Sequence, residues 1–489
     1  LSFSLRKINS RHIVALGLFF GLLNGIFILT ENFWGLAIPL VLSFIAFIIF
    51  ALDRALLFLI FSTPLSIFYL HPQLHLGFTI PTEPLIFGIM LLFFAKVLYH
   101  GHFDRKVVRH PVSILLLVSL AWMLISAVSS ELPLISFKYF AVRLWFVSVF
   151  FFLLSQMFKH PRRIEQFIWL YLIPLCGVVV YTTVHHGQYG FTQEASGWVM
   201  TPFFPEHTSY GAVIALYFPV AFALAFLLKF DINLRVVAIV LFAILSVGLV
   251  LSYTRAAWVS LVCALVAMLM IVFQLRRWAF VSLIILFFAT LYYFRADLIE
   301  RFEDNDAVSS DNLTEHVESI SNISSDASNM ERINRWKAAY RMWRERPVLG
   351  FGPGTYMFLY APFQKPYDKT IISTNAGDLG NAHSEYIGPL AEQGLPGSII
   401  MLLLVFFILH TGIRVYHRLH DSRLRILALM LLMGLITYFV HGLLNNFLDL
   451  DKAACPVFGF SAVLVVLDCY YLPQSASKKE VPTAPSKRL

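Results

Sequence analysis

The sequence predicts an all-α polytopic membrane protein of about 12–14 transmembrane helices, with one large loop outside the membrane that contains short helices. Three observations carry this. Apolar residues make up 58% of the 489 residues and charged residues only 13%, against about 45–50% and about 25% in soluble domains. The mean hydropathy is +0.73. The apolar residues also fall in runs close to the roughly 20 residues that cross a bilayer as a helix. Together these exclude a soluble enzyme, a disordered chain and a secreted disulfide scaffold.

Taken in order, the runs are 13–30, 33–50, 54–70, 83–99, 111–129, 139–158, 165–184, 209–228, 234–252, 256–274, 278–294, 395–416, 424–444 and 453–472. The first three are the shortest or most crowded, hence the range of 12 to 14. The first run leads directly into the second, so no cleaved leader is expected. The chain begins at Leu1 without Met, so native residues are expected ahead of it. Cys176, Cys263, Cys455 and Cys469 all lie within apolar runs, without CxxC or metal spacing, and read as small buried hydrophobes.

The loops alternate in charge. One set, from Arg6 and Lys7 through Arg105, Lys106, Arg162, Arg163, Arg276, Arg277, Arg414 and Arg418 to the carboxy-terminal lysines, holds 23 of the 37 basic residues. The opposite short loops and adjoining helix ends hold Lys138, Arg143, Arg255 and Lys452. The net charge of +8 is therefore a matter of lipid topology, and no nucleic-acid partner is expected. The positive-inside rule puts both termini in the cytoplasm. The chain then divides into helices 1–11 (1–294), an external segment (295–394), helices 12–14 (395–472) and a cytoplasmic tail (473–489).

The external segment holds the remaining ten basic residues. A connection that long is usually functional. Residues 303–330 are acidic and rich in Ser and Asn. Residues 331–346 read as an amphipathic helix with Trp336, Ala339, Tyr340 and Trp343 on one face, ended by Pro347. Arg341, Arg344 and Arg346 read as its solvated or headgroup-facing side, and His185 and His186 as loop residues.

An ionisable residue within a span costs about 2.5–3.5 kcal/mol on insertion scales, so each needs a reason. Arg143, Arg255, His441, Glu206 and His207 all fall near the outer boundary, and Asp468 near the inner one. A secondary transporter would place such groups near the midplane, in two related halves. Cations gathered at one face, roofed by a long loop, suit a lipid-anchored anion such as a polyprenyl pyrophosphate, because guanidinium holds phosphate oxygens in a bidentate fork. Each residue also has a plainer role. Arg143 and Arg255 could snorkel to headgroups, and Glu206–His207 could start a helix. GFGPG at 350–354 lacks the Lys-Ser/Thr and preceding strand of a nucleotide loop. No paired carboxylates, HExxH or GxSxG occur, and no metal or cofactor is expected.

The richest stretch is 375–397, NAGDLGNAHSEYIGPLAEQGLPG. His383 opens a short helical pattern whose last turn holds Glu392. A neutral imidazole there can take a proton from a sugar hydroxyl, with Glu385 able to orient its ring; a structural histidine is the alternative.

With PVLGFGPG at 347–354, AHSEYI at 382–387 and LAEQGLPG at 390–397, the sequence resembles the O-antigen ligase and polymerase superfamily, a GT-C-like arrangement. Arg332 and Trp336 supply its Arg-x3-Trp element, and SYTRAAW at 252–258 resembles its Ser-Arg motif at Arg255. The likeness is best over about 195–275 and 330–400. Ser384 stands where the family usually has Asn, and EHTSYGA at 206–212 replaces a Pro-Asn pair. The resemblance implies metal-independent, inverting glycosyl transfer on the periplasmic face of a bacterial inner membrane. The donor is an undecaprenyl-pyrophosphate-linked glycan and the acceptor a hydroxyl of lipid A-core. A growing polymer or a protein serine are the acceptors of the polymerase and oligosaccharyltransferase alternatives. His383 would then be catalytic, and Arg255, Arg332, Arg335 and Arg143 would hold the pyrophosphate. Glu206, His207, Glu385 and His441 would support them. A lipid-linked-glycan transporter is the alternative without chemistry.

Overall fold

The computed structural model describes residues 10–31, 51–70, 77–100, 103–274, 327–370, 373 and 380–473. Helix α1 spans Ser10–Leu29 and α2 spans Leu52–Ser62. Among the described residues ten further helices are long and apolar enough to cross a membrane. Seven precede the large loop. They are α3 (Thr82–His100), α4 (Pro111–Val128), α5 (Pro133–Met157), α6 (Pro161–Gly187), α7 (His207–Leu227), α8 (Ile232–Leu251) and α9 (Arg255–Val272). Helix α10 (Ala327–Glu345) belongs to the loop. The last three spans are α11 (Gly388–Arg418), α12 (Ser422–His441) and α13 (Asp451–Tyr470). The chain is thus an all-α multi-pass membrane protein. The expected runs 33–50 and 278–294, most of the acidic stretch 303–330 and both termini lie outside the described residues.

Two expectations need correction. The run 54–70 is not one span. Helix α2 ends after 11 residues, where the Thr63 hydroxyl folds back onto the Leu59 carbonyl at 2.8 Å and Pro64 supplies no N–H. Ile67–Leu70 (β1) then pairs antiparallel with Gly77–Ile80 (β2), Ile67 opposite Ile80, a ribbon of the β-branched and aromatic residues that favour extended chain. Helix α11 begins at Gly388 rather than 395, because Gly394 takes a φ of 69° and joins a short leading helix to the long one.

The centre of the bundle is α12 and α13, whose side chains are buried along nearly their whole lengths. Gly434 of α12 lets α7 approach backbone to backbone: a Cβ there would lie 2.3 Å from the Leu216 carbonyl oxygen, the close approach that holds membrane helices together. Helices α8 and α9 are peripheral and turn Val240, Val262 and Leu265 outward, as lipid-facing helices do. A second, smaller core of Ala338, Ala339, Met342, Phe351, Tyr356 and Tyr360 joins α10 to the turns after it.

The helix ends sort into two groups. The starts of α7, α9, α11 and α13 and the ends of α4 and α12 lie at one end, the end that also holds α10 and its turns. Ser126 donates to the Leu349 carbonyl at 2.6 Å, Thr254 to that of His207 at 2.9 Å, and the Glu385 amide to that of Gly442 at 2.8 Å. At the other end lie Arg105, Lys159, Arg163, Lys229, Arg414 and Arg423, the loops that the charge pattern grouped together.

Candidate functional site

The site is built on the first group of ends. Residues 380–387 cross above the bundle between α10 and α11. His383 sits there with a φ of 47°, a left-handed conformation sparsely used outside glycine. Its amide donates to the Asn381 side-chain oxygen at 3.0 Å, which holds the turn. Its ring is hydrogen-bonded to the side-chain oxygen of Asn445, as donor, and faces Arg335, Arg332 and Glu331. Burial, then the charges of Arg335 and Arg332, push the imidazole pKa down to about 4. The ring is therefore neutral at pH 7, with a nitrogen lone pair that can accept a proton.

Helix α10 delivers the arginines. Arg335 donates through Nε to Glu331 Oε1 at 2.7 Å, one turn back, and through a terminal nitrogen to the Asn381 carbonyl at 3.1 Å. Its guanidinium lies 5.4 Å from the Tyr360 ring centre. It thus ties α10 to the turn that carries His383. Glu331 also accepts from Ser373 and Asn334. Burial acts to raise its pKa, but these bonds and Arg335 hold the carboxyl below its usual range. Arg332 points elsewhere: its charge bears on His383, on Glu206 and on His441. Burial raises the Glu206 pKa, against a hydrogen bond from Thr208 and the charge of Arg332.

The start of α7 and the end of α12 form the floor. His441 is 2% exposed; it lies beside Arg332 and His207, and neither of its ring nitrogens has a hydrogen-bond partner among the described residues. Arg255 is the first residue of α9. The Thr254 hydroxyl before it donates to the His207 carbonyl at 2.9 Å, which pins the SYTR turn to the start of α7. Arg332, Arg335, His383, Glu206, His207 and His441 are thus brought together, with Arg255 at the adjoining helix start.

Two expected members are placed otherwise. Arg143 is not among the charges acting on His383. It bonds the Tyr139 hydroxyl at 3.1 Å and faces Glu385 and Asp449, lining a cavity of about 90 Å³ beneath Ser384 and Glu385. Glu385 does not orient the His383 ring. Its Oε1 accepts from the Tyr438 hydroxyl and from the amides of Phe447 and Leu448, at 2.7, 2.7 and 2.9 Å. It clamps the 442–450 turn, because a carboxylate buried there needs all of those donors.

Other expectations resolve as structure. Arg341 pairs with the buried Asp368 and fastens the cap, whereas Arg344 is exposed and Arg346 meets Glu131 at the surface, as a solvated face would have them. His185 and His186 end α6 rather than lie in a loop, and bond the carbonyls of Val199 and Thr192. GFGPG is a turn with no room for a ligand: Gly352 has a φ of 115°, a Cβ on it would lie 2.0 Å from Ser130 Oγ, and its amide donates to the Glu392 carbonyl at 2.8 Å. Among the described residues no group of three or more His, Cys, Asp or Glu could hold a metal ion.

Asn445 was not among the expected residues. The signal available was HGLLNNFLD at 441–449, a polar break between two apolar runs. It acquires meaning only when α12 carries it beneath His383.

The family model described as O-antigen ligase matches residues 239–402. That segment holds Arg255, Arg332, Arg335 and His383, while Glu206, His207, His441 and Asn445 come from outside it. No curated protein matches the chain. The cationic, histidine-bearing end of the bundle is thus centred on a segment, residues 239–402, that matches the O-antigen ligase domain.

Proposed function

We propose that the protein transfers a glycan from undecaprenyl pyrophosphate to a lipid A-core sugar hydroxyl, with inversion and without a metal, at the end of the bundle that bears His383. The observation that carries this reading is a neutral imidazole held beside two guanidinium groups within the family-matched segment. The basic loops at the opposite end favour a cytoplasmic location for that end and a periplasmic one for the site.

In this mechanism Arg332 and Arg255 hold the pyrophosphate oxygens. The acceptor oxygen attacks the anomeric carbon from the face opposite the pyrophosphate. Its proton passes to the free ring nitrogen of His383 as the new C–O bond forms and the bond to pyrophosphate breaks. The bonding pair leaves with the lipid pyrophosphate, whose growing negative charge the guanidinium groups stabilise. The donor also tunes the base. A bound pyrophosphate offsets the charges of Arg332 and Arg335, so the His383 pKa rises from about 4 toward its ordinary value and the ring becomes a better proton acceptor. Arg335, tied to Glu331 and Asn381, serves mainly to position the His383 turn.

The test is the glycan inventory of a knockout. Core lipid without polymer, with polymer retained on the carrier, supports a ligase. Single repeats on the core indicate a polymerase, and loss of glycan from proteins alone an oligosaccharyltransferase. Unchanged transfer with glycan stranded on the inner face would indicate transport instead. Purified enzyme is expected to keep its activity in EDTA; inactivation reversed by one divalent ion would overturn the metal-free part, with Glu206 and His207 the first ligands to examine.

A further inference from the structure

The connection from α6 to α7, residues 188–206, carries aromatic side chains that the mechanism above does not use. Tyr189 and Trp198 meet with ring centres 4.6 Å apart and planes at 78°. His185, in the last turn of α6, packs edge-to-face with both, at 5.6 Å in each case, and its Nδ1 bonds the Val199 carbonyl at 2.9 Å. Tyr181, one turn earlier, donates its hydroxyl to the Thr201 carbonyl at 3.2 Å. The cluster is thus held at several points, yet Tyr189 is 45% and Trp198 41% exposed. In an edge-to-face pair one ring spends only its edge, and its own faces stay open. A large ring fixed in one pose and left uncovered is preorganised for a ligand that stacks.

The cluster is joined to the cationic site through two strained residues. Phe191 and Tyr253 take φ of 58° and 47°, a left-handed conformation that bulky side chains rarely adopt. The Tyr253 hydroxyl donates to the Phe191 carbonyl at 3.0 Å. The buried His186 ring packs against both, at 5.5 Å from Phe191 and 6.2 Å from Tyr253. Tyr253 stands two residues ahead of Arg255, so these contacts fix the aromatic connection to the turn that presents Arg255. Backbone strain of this kind persists where the surroundings over-determine it, as they do around ligand sites.

The neighbouring side chains decide what stacks there. No Lys or Arg occurs between Arg163 and Lys229, so the connection offers lipid phosphates none of the cations with which segments bind a membrane surface. It offers Gln188 and Glu194 instead, both exposed. Open aromatic faces beside planar amide and carboxylate groups suit an uncharged polyhydroxyl ligand. The C–H face of a sugar ring carries slight positive charge and stacks on the negative face of an aromatic ring, while its hydroxyls bond to the amide and the carboxylate. We propose that Trp198 and Tyr189 form a stacking subsite for sugars of the donor glycan beyond the one attached to pyrophosphate. The subsite rests on the assignment of Arg255 to that pyrophosphate, made above. It holds the glycan at a second point, so that the first sugar is presented to His383 in one pose.

Two measurements on the full-length protein test it. In the first, transfer is measured with a polyprenyl pyrophosphate bearing a single sugar and with the same carrier bearing a whole glycan. Trp198→Ala and Tyr189→Ala should each raise KM for the long glycan about tenfold, the scale of a lost aromatic anchor, and leave KM for the single sugar unchanged. Trp198→Phe keeps a ring and should recover most of the loss. Variants that shift KM equally for both donors, or for neither, would overturn the proposal and make the cluster an interfacial anchor or a fold contact. The second measurement needs no transfer. The glycan, freed from its carrier by mild acid, is added to the protein in nanodiscs, and saturation transfer from protein to sugar protons is recorded by NMR. A signal that is lost in Trp198→Ala supports the subsite even if the wild type transfers nothing, in which case only the reaction fails. No signal with the wild type, or the same signal in wild type and Trp198→Ala, overturns the subsite itself.

Discussion

Both ends of the bundle hold ion pairs, and one of them also gathers arginines and histidines about a buried imidazole. At one end the charges are paired. Arg414 and His110 both meet Asp468, Arg423 meets Glu165 through two bonds, and Lys159 meets Asp104. At the other end Arg332 bears on two histidines and one half-buried carboxylate, and His441 keeps both ring nitrogens without a hydrogen-bond partner among the described residues. A buried polar group without a partner costs about 1–3 kcal/mol. That cost falls on His441, beside the same Arg332 that bears on His383, and so this end is where chemistry is to be sought. The paired end holds helices together.

That contrast can be broken by mutation, and the largest effect is expected at His383. His383→Ala should slow transfer by about 10²–10⁴ while donor affinity stays near wild type, because the arginines remain. Paired measurements of donor binding and single-turnover rate on one preparation check this. Wild-type transfer would remove His383 from the chemistry. Lost affinity with a normal rate at saturation would make it a binding residue.

The next effect is at the arginines. Arg255→Lys and Arg332→Lys keep the charge but lose the planar fork, and each should raise donor KM and lower kcat at normal membrane levels. Arg143→Lys should do less to donor KM, since Arg143 faces Tyr139, Glu385 and Asp449 rather than His383. Equal losses in all three would return Arg143 to the pyrophosphate site.

The pH profile sharpens the comparison further. The working form of His383 is the neutral ring, so activity is lost as pH falls through its pKa. In the free enzyme that pKa is about 4, and kcat/KM should fall off only near that pH. In the donor complex the guanidinium charges are offset, and the acid limb of kcat should lie higher. The two limbs report the two states separately. Coincident limbs would show that the pyrophosphate does not sit beside His383.

The smallest effect on transfer is expected at the paired end. Asp468→Asn leaves His110 and Arg414 without their carboxylate and should lower the melting temperature by a few degrees, with transfer per folded molecule unchanged. A specific loss of kcat there would break the division between the two ends.

Much of this was legible in the chain. The ten spans among the described residues fall where apolar runs predicted them, because a run of that length leaves the backbone in hydrocarbon few options besides a helix. The α10 helix was legible from its apolar residues and Pro347, but its buried face is that of Ala338, Ala339 and Met342, and Tyr340 of the expected stripe is exposed. The run 54–70 misled because hydropathy does not register Thr63–Pro64, where hydrogen bonding and a missing amide decide. Arg341 misled because its partner, the buried Asp368, lies beyond several turns of the chain.

By itself the sequence determined the class of protein and the grouping of basic loops at one end, which follow from composition, periodicity and local spacing, properties of neighbours along the chain. Its resemblance to a family then singled out Arg255, Arg332, Arg335 and His383 as candidates. Only the tertiary structure decided which of them meet. It drew Asn445 and His441 in from α12 and its following turn, turned Glu385 into a clamp on that turn, and set Arg143 in a separate cavity. The reason is physical: a buried charge is settled by whatever partner the packing brings within about 3 Å, and in this bundle those partners come from segments tens to hundreds of residues apart.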